Sequence, residues 1–296
     1  MLLRSLLRKQ VLFSQFYVRN FGVMAEHSYT GTSLQVILDR LQEFAPLNLA
    51  SSWDNVGLLV DPMSRSNITN ILLTNDLTED VVEEAVTTNC GLIISYHPNI
   101  FQGLKSVSKR TWKERVVVQC IKNNIAVFSP HTSWDAVRGG VNDWLAEALP
   151  IAESRPIMAY QTDSDIGAGR FCTLTDEITV GDAVDRIKKH IGIDHLRLAL
   201  ARNQNEDFKI KTVALCAGSG NSVLSGTEAD LYLTGEMMHH DVLDATQKNT
   251  HVILTNHSDS ERGFLRSFRK QLEEDILSGE AKVIVSKIDR DPLKTV

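Results

Sequence analysis

The stretch Cys90-Gly91-Leu92-Ile93-Ile94-Ser95-Tyr96-His97-Pro98 sets the reading of the whole chain. Its apolar run is short and bounded by a glycine and a proline, so it predicts a strand covered on both faces. Pro98 has no backbone N–H and blocks continuation of the ladder. His97 is therefore left at the carboxyl end of the strand, where open α/β sheets collect their ligands. Neutral imidazole suits Zn, Fe, Mn or Ni. For His97 alone, a hydrogen-bonded loop histidine is the competing explanation.

Outward from this strand, short β-rich runs recur at 71–74, 125–129, 213–217, 231–234, 252–255 and 283–286, separated by helical stretches. An amphipathic helix over 33–44 opens the body of the chain and stops before Pro46. Such alternation predicts an α/β fold with largely parallel sheets. Pro150, Pro156, Gly167 and Gly169 interrupt the periodicity and mark a boundary. Beyond it, strands at 171–174 and 197–200 around a helix at 180–191 predict a second α/β lobe over 156–244. The terminal strand–helix–strand unit (252–255, 261–276, 283–286) is expected to return to the first lobe, which would comprise 25–155 plus 245–296.

Composition narrows the function classes. A chain of 296 residues, 43% hydrophobic, is long enough for one large or two modest domains, and its net charge of -6 provides no basic field for a nucleic-acid backbone. Cys90, Cys120, Cys172 and Cys216 stand singly, without the C-x-x-C pairs of structural zinc or redox sites. No apolar run approaches the roughly 18 residues of a membrane span. Residues 1–24 combine Arg4, Arg8, Lys9 and Arg19 with leucines and lack any acid, a composition that suits a mitochondrial presequence; Met24 offers a second start giving a cytosolic form. Mitochondrial and cytoplasmic locations are both expected.

Two further strand ends carry chemistry. The strand at 125–129 runs into His131 and Asp135: Asp135 is a candidate ligand or a turn-maker, and His131 could ligate or orient. After the strand at 252–255, His257 and Glu261 stand four residues apart and can aim at one ion, although Ser258 and Glu261 also fit a capping box. Three separate strands thus end in histidine, carboxylate or both. Glu236 and the pair His239-His240 follow a fourth strand and are candidates to line the pocket or move a proton. The turn Cys216-Ala217-Gly218-Ser219-Gly220-Asn221-Ser222 is a backbone turn that could hold an anion, but it lacks the third glycine of a dinucleotide loop and the lysine of a P-loop.

Several spaced motifs in one order resemble the Nif-three-like proteins, the NGG-one-interacting factor three family also known as the GTP cyclohydrolase type 2 family. The resemblance covers nearly all of the chain after Met24. It is carried by Ser52-Trp53-Asp54-Asn55-Val56-Gly57-Leu58-Leu59, Ser95-Tyr96-His97-Pro98 with Phe101, and His131-Thr132 through Asp135 to Gly139-Gly140-Val141-Asn142-Asp143. Gly169-Arg170, Gly218-Ser219-Gly220, Leu233-Thr234-Gly235-Glu236 with His239-His240, and His257 with Ser260-Glu261 continue it.

The resemblance implies two related α/β lobes with the metal site between them at the strand ends, and a ring-shaped homo-oligomer, commonly a hexamer. It assigns His97, Asp135 and Glu261 to one divalent ion, and His257 with a shared Glu261 to a second. One or two ions per chain, of Zn, Mn or Fe, are expected. Many members carry two adjacent histidines where this chain has Tyr96-His97, so a phenol of unperturbed pKa about 10 replaces one ligand of the second ion. The expected function is a metal-dependent hydrolase of a nucleotide or phosphorylated small molecule, with Glu236 or His239 moving the proton. The alternative is a noncatalytic scaffold that binds transcription regulators.

Overall fold

The structure, a computed structural model, describes residues 28–63, 67–160 and 163–296. The leader at 1–24 lies outside the described residues. Two sheets carry the fold. The first has the order β1-β4-β3-β2-β13 and contains β1 (Gly57–Val60), β2 (Asn70–Thr74), β3 (Leu92–Ser95), β4 (Ala126–Ser129) and, from the far end of the chain, β13 (Lys282–Val285). All its pairings are parallel except β1 against β4. The second has the order β5-β8-β10-β11-β12-β9, from β5 (Ile151–Arg155), β8 (Arg170–Thr179), β9 (Arg197–Ala199), β10 (Lys209–Ser219), β11 (Leu231–Glu236) and β12 (His251–Leu254). Its centre, β10, β11 and β12, is parallel, and antiparallel strands flank it. A hairpin, β6 (Met158–Tyr160) and β7 (Asp163–Ala168), stands between β5 and β8.

The period of two along each strand sorts its side chains. In β2, Ile71 and Leu73 face the space between the sheets, and Leu72 faces outward; in β3, Leu92 and Ile94 face inward against Ile93 outward. Outside the first sheet, α2 (Glu79–Thr87) and α3 (Trp112–Lys122) cover Leu72, Ile93 and Val127 with Val81, Val82, Val116 and Val117. Their N-termini are capped by Thr78 and Thr111, which satisfy otherwise orphaned amides. Outside the second sheet, α7 (Asn221–Leu224) and α8 (His239–Gln247) cover Ala214, Tyr232 and Val252. The remaining core lies between the sheets. It takes in α1 (Leu34–Phe44), α4 (Thr132–Ala136), α5 (Val141–Ala146), α6 (Val180–Ile191) and α9 (Asp259–Gln271). No described helix is long and apolar enough to cross a membrane.

The helix α9 joins the two halves: it packs on β2 of the first sheet and on β10 and β11 of the second. Trp134 of α4 holds it in place, with ring centroids 4.8 Å from Phe268 and 5.6 Å from Phe264. The strand at 251–254 corrects an expectation. It was assigned to the first lobe by its likeness to the units there, yet it pairs parallel with β11 and antiparallel with β9, inside the second sheet. The short connection through α8 leaves it beside its predecessor, as sequential strands commonly lie. The chain returns to the first sheet only after α9, when β13 adds beside β2.

Helix α9 packs tightly on α5 at Gly263, where a Cβ would stand 2.2 Å from Trp144 Cζ2. Gly263→Ala is therefore expected to lower unfolding free energy by about 1–3 kcal/mol through overpacking, even though alanine favours a helix over glycine by about 1 kcal/mol. Urea titration measures the sign. A stabilised variant would mean that the two helices are not packed at this point.

Candidate metal centre

The carboxyl ends of the parallel strands in both sheets face one another. From the first sheet, β2 delivers Asn75 and Asp76, β3 delivers Tyr96 and His97, and β4 delivers His131 and Asp135. From the second, β10 ends around Gly218, β11 ends at Glu236, and β12 leads to His257. Between them the first turn of α9 presents Glu261, a carboxylate only 3% exposed.

Glu261 is the centre of the arrangement. His97 Nε2 lies 3.4 Å from its Oε2, and His257 Nε2 lies 3.4 Å from its Oε1. All three donors fall within 4.8 Å of one another, forming a group that could hold a metal ion. Each imidazole is backed by a second carboxylate: His97 Nδ1 stands 2.9 Å from Asp76 Oδ1, and His257 Nδ1 stands 3.0 Å from Glu236 Oε2. A carboxylate only accepts, so Nδ1–H must donate outward in both rings. That choice turns both Nε2 atoms toward Glu261, the tautomer-fixing arrangement of metal-ligating histidines.

The surroundings fit a cation. Two imidazole nitrogens and a carboxylate suit Zn, Mn or Fe, and no lysine or arginine forms an ion pair with Glu261 among the described residues. A Cβ at Gly218 would lie 2.5 Å from Glu261 Oε1 and 3.2 Å from His257 Nε2, and the residue has φ +65. Only glycine leaves room there without strain. Ser258 does not form the alternative capping box: it makes no side-chain cap bond, and its Oγ donates to Asp291 Oδ2 at 2.6 Å. The Glu261 carboxylate is thus left for the cavity.

Asp135 and Tyr96 form a neighbouring pair. The Tyr96 hydroxyl donates to Asp135 Oδ1 at 2.5 Å. Burial, reinforced by the charges of Asp135 and Glu261, raises Tyr96 well above the ordinary phenol range. Without an ion, Tyr96 is accordingly a neutral donor that orients Asp135. Burial also raises Asp135 to about 6, against the lowering effects of Tyr96 and His131. Asp135 lines the same cavity as the triad but lies outside the compact three-residue group.

The structure separates the two proton-transfer candidates. Glu236 contacts the site, as the backing carboxylate of His257. His239 does not: it begins α8, which packs on the outer face of the second sheet, and its exposed ring meets that of His240 at 5.3 Å instead of lining the cavity. The Gly218-Ser219-Gly220 turn is no anion cradle. Its Gly218 and Gly220 amides donate to Ser260 Oγ and Thr234 Oγ1, and Gly218 abuts a carboxylate.

Several contributors lack a local sequence signal. Asp54, between Trp53 and Asn55, backs His131 Nδ1 at 2.7 Å. Asp76 follows its strand by two residues, as His97 follows β3, and that parallel could have identified it. Arg262 bridges Asp76 and Asp289, and Asp289 Oδ2 accepts from the Asn75 amide at 2.8 Å. The C-terminal segment therefore braces the loop that backs His97. Arg170, buried by the second sheet, pairs with Asp143 and donates to the Val137 carbonyl at 3.1 Å, fastening the turn after Asp135.

The chain is similar to known proteins in both sequence and fold. A model of the family described as Duf34/NIF3 (NGG1p interacting factor 3) matches residues 32–292. NIF3-like protein 1 of Drosophila melanogaster is 45% identical over 271 residues, covering 91% of each chain. NIF3-like protein 1 of Homo sapiens is 37% identical, covering 93% of this chain and 96% of its own. Among solved structures, a hypothetical protein of Staphylococcus aureus superposes with TM-score 0.79 at 26% identity, covering 90% of this chain and all of that one.

Electrostatics would make uptake of an ion at this group pH-dependent. Burial opposes charge on His97, but the carboxylates of Asp76 and Glu261 outweigh it and raise the imidazole from 6.5 to about 10. Without a metal ion, the His97 proton is the local cation. Its stabilising contribution is complete below the unfolded value of 6.5 and fades as pH rises toward about 10. A divalent ion must displace it, so binding at pH 7 to 8 is expected to release about one proton per ion from this residue. Calorimetry in buffers of different ionisation heat counts the protons. Binding with no proton release would contradict this arrangement.

Proposed function

The chain belongs to the Duf34/NIF3 family, and from that premise we propose that it is a metal-dependent hydrolase of a phosphorylated small molecule, a nucleotide among the candidates. The observation that carries the reading is the pair of carboxylate-backed imidazoles aimed at opposite oxygens of one buried glutamate. His97, His257 and Glu261 would hold the first ion. Asp135, ionised above about pH 6 and oriented by Tyr96, supplies a further oxygen toward the same cavity.

A bound ion would acidify water and neutralise charge on a phosphoryl oxygen. The protein's own residues do the rest. Asp76 and Glu236 hold the two imidazoles in the tautomer that presents Nε2. His131, backed by Asp54 and bordering the cavity, is better placed than His239 to exchange a proton with a ligand. Its backbone has φ +36, a conformation rarely adopted by a non-glycine residue and one that recurs at working sites. Three bonds to Asp54, from His131 Nδ1 and from the Thr132 amide and hydroxyl, hold it there.

The second reading, a noncatalytic scaffold for transcription regulators, draws support from the family description, which names an interacting factor of NGG1p. The replacement of a histidine ligand by Tyr96 favours it, because the phenol is engaged by Asp135. Retention of the backed imidazoles favours hydrolysis, since a scaffold has no need of an accessible ion. A ring-shaped homo-oligomer and a mitochondrial or cytoplasmic location remain part of the proposal.

Protein purified without a histidine tag is expected to hold at least one Zn, Mn or Fe ion per chain, and Glu261→Gln to lose it together with any phosphatase or nucleotidase activity. Elemental analysis of both proteins, beside a screen of phosphate esters with added metal, measures this. Equal metal content would remove Glu261 from the site. Full metal content with no turnover of any ester would favour the scaffold.

A further inference from the structure

The cavity above the metal-binding group extends well beyond it, with a volume of about 830 Å³, enough for a ligand much larger than phosphate. Its inner end is polar. Its outer end is apolar, formed by Leu49, Trp53, Phe101 and Met158. Trp53 is 62% exposed and Phe101 42% exposed, and their ring centroids are 6.1 Å apart with planes inclined by 57°. Two large aromatic faces left open side by side call for an occupant.

The chain holds these rings in place from beneath. Asp54, next to Trp53, has a side chain fully shielded from solvent and accepts from His131 Nδ1, the Thr132 amide and the Thr132 hydroxyl. Asn55 donates to the carbonyl of Ile100, next to Phe101, so the two ring-bearing segments are tied to each other. The Tyr160 hydroxyl, also in the lining, is spent on the Leu49 carbonyl. The exposed rings therefore sit on an ordered support, and a ligand stacking on them need not supply the ordering entropy.

We propose that the outer end of the cavity is a binding site for a flat ring carried by an anionic ligand, with the exposed faces of Trp53 and Phe101 as the platform on which the ring stacks. The inference rests on reading the inner end as a metal centre, which would take the anionic group. The spacing suits an elongated molecule: the Trp53 indole reaches the His97 imidazole only through His131, by ring contacts of 6.0 and 5.3 Å. Lys113 is the only lysine or arginine among the described lining residues, so the ion supplies most of the attraction for the anion. Because the outer lining is apolar, ring faces are recognised in preference to hydrogen-bonding edges. The substrate class is then the phosphate esters that bear an aromatic ring, whether or not the ring is a nucleobase.

The test measures binding to the metal-loaded full chain for four probes: 1-naphthyl phosphate, adenosine 5′-monophosphate, ribose 5-phosphate and inorganic phosphate. Both ring-bearing esters are expected to bind about ten-fold or more tightly than ribose 5-phosphate, as one aromatic stack allows. Trp53→Ala should erase that preference, Trp53→Phe should keep most of it, and metal content should not change in either. The proposal is overturned if ring-free phosphates bind equally well, if none of the four binds, or if Trp53→Ala keeps the ring preference. It is also overturned if adenosine monophosphate alone is retained, which would mean edge recognition, or if Trp53→Ala alters oligomeric mass and leaves affinity untouched. Ring preference without hydrolysis contradicts the hydrolase reading alone, whereas hydrolysis without ring preference contradicts this one alone.

Discussion

A carboxylate withdrawn from water stays charged only beside a cation or hydrogen-bond donors, and Glu261 has neither lysine nor arginine beside it among the described residues. Two imidazoles and the amide of Asn75, which donates to Oε2 at 3.2 Å, are its neighbours. The rest of the site follows from this constraint. A proton on His97 meets it when no metal is bound, held between Asp76 and Glu261. A divalent ion would meet it better, because both oxygens of Glu261 already face an imidazole nitrogen. The same constraint explains Gly218, where a side chain would enter the space of the carboxylate. It also gives α9 its place: a helix between the sheets can raise one glutamate to the meeting point of six strand ends.

Support for this point is drawn from distant parts of the chain. Asp289, near the C-terminus, binds the backbone amide of Asn75 and the guanidinium of Arg262, which in turn reaches Asp76 behind His97. Burial opposes ionisation of Asp76, yet His97 and Arg262 lower its pKa to about 2. That carboxylate therefore stays charged throughout the range in which His97 exchanges its proton for a metal ion. Glu236 plays the same part for His257 from an exposed position, where solvent weakens the interaction.

Much of this was legible in the sequence, for a physical reason. Strands buried on both faces are short apolar runs, and a polar residue just after such a run has to lie at the strand end, so His97, Asp135 and His257 could be placed before any contact was known. The helix at 180–191 was legible for a similar reason, with Thr179 and Asp182 forming a capping box at its start and Gly192 in a left-handed conformation at its end. Long-range pairing was not. Nothing local in residues 251–254 tells which sheet they join, and nothing near Asp289 points to Asn75, 214 positions away. His239 and Glu236 both follow the apolar run at 231–234 and read alike in the sequence, but Glu236 ends β11 whereas His239 begins the outer helix. The sequence shows a tyrosine where many members carry a histidine, but the donation from Tyr96 to Asp135 is visible only in the fold.

A single location for the ion is decisive. Crystals of the metal-loaded protein, measured on both sides of the absorption edge of the bound metal, report that location without reference to activity. The account predicts an anomalous peak bounded by His97 Nε2, His257 Nε2 and the carboxylate of Glu261, with Asp76 and Glu236 still behind the two rings. A fully occupied peak elsewhere, with Glu261 holding no ion, would contradict it.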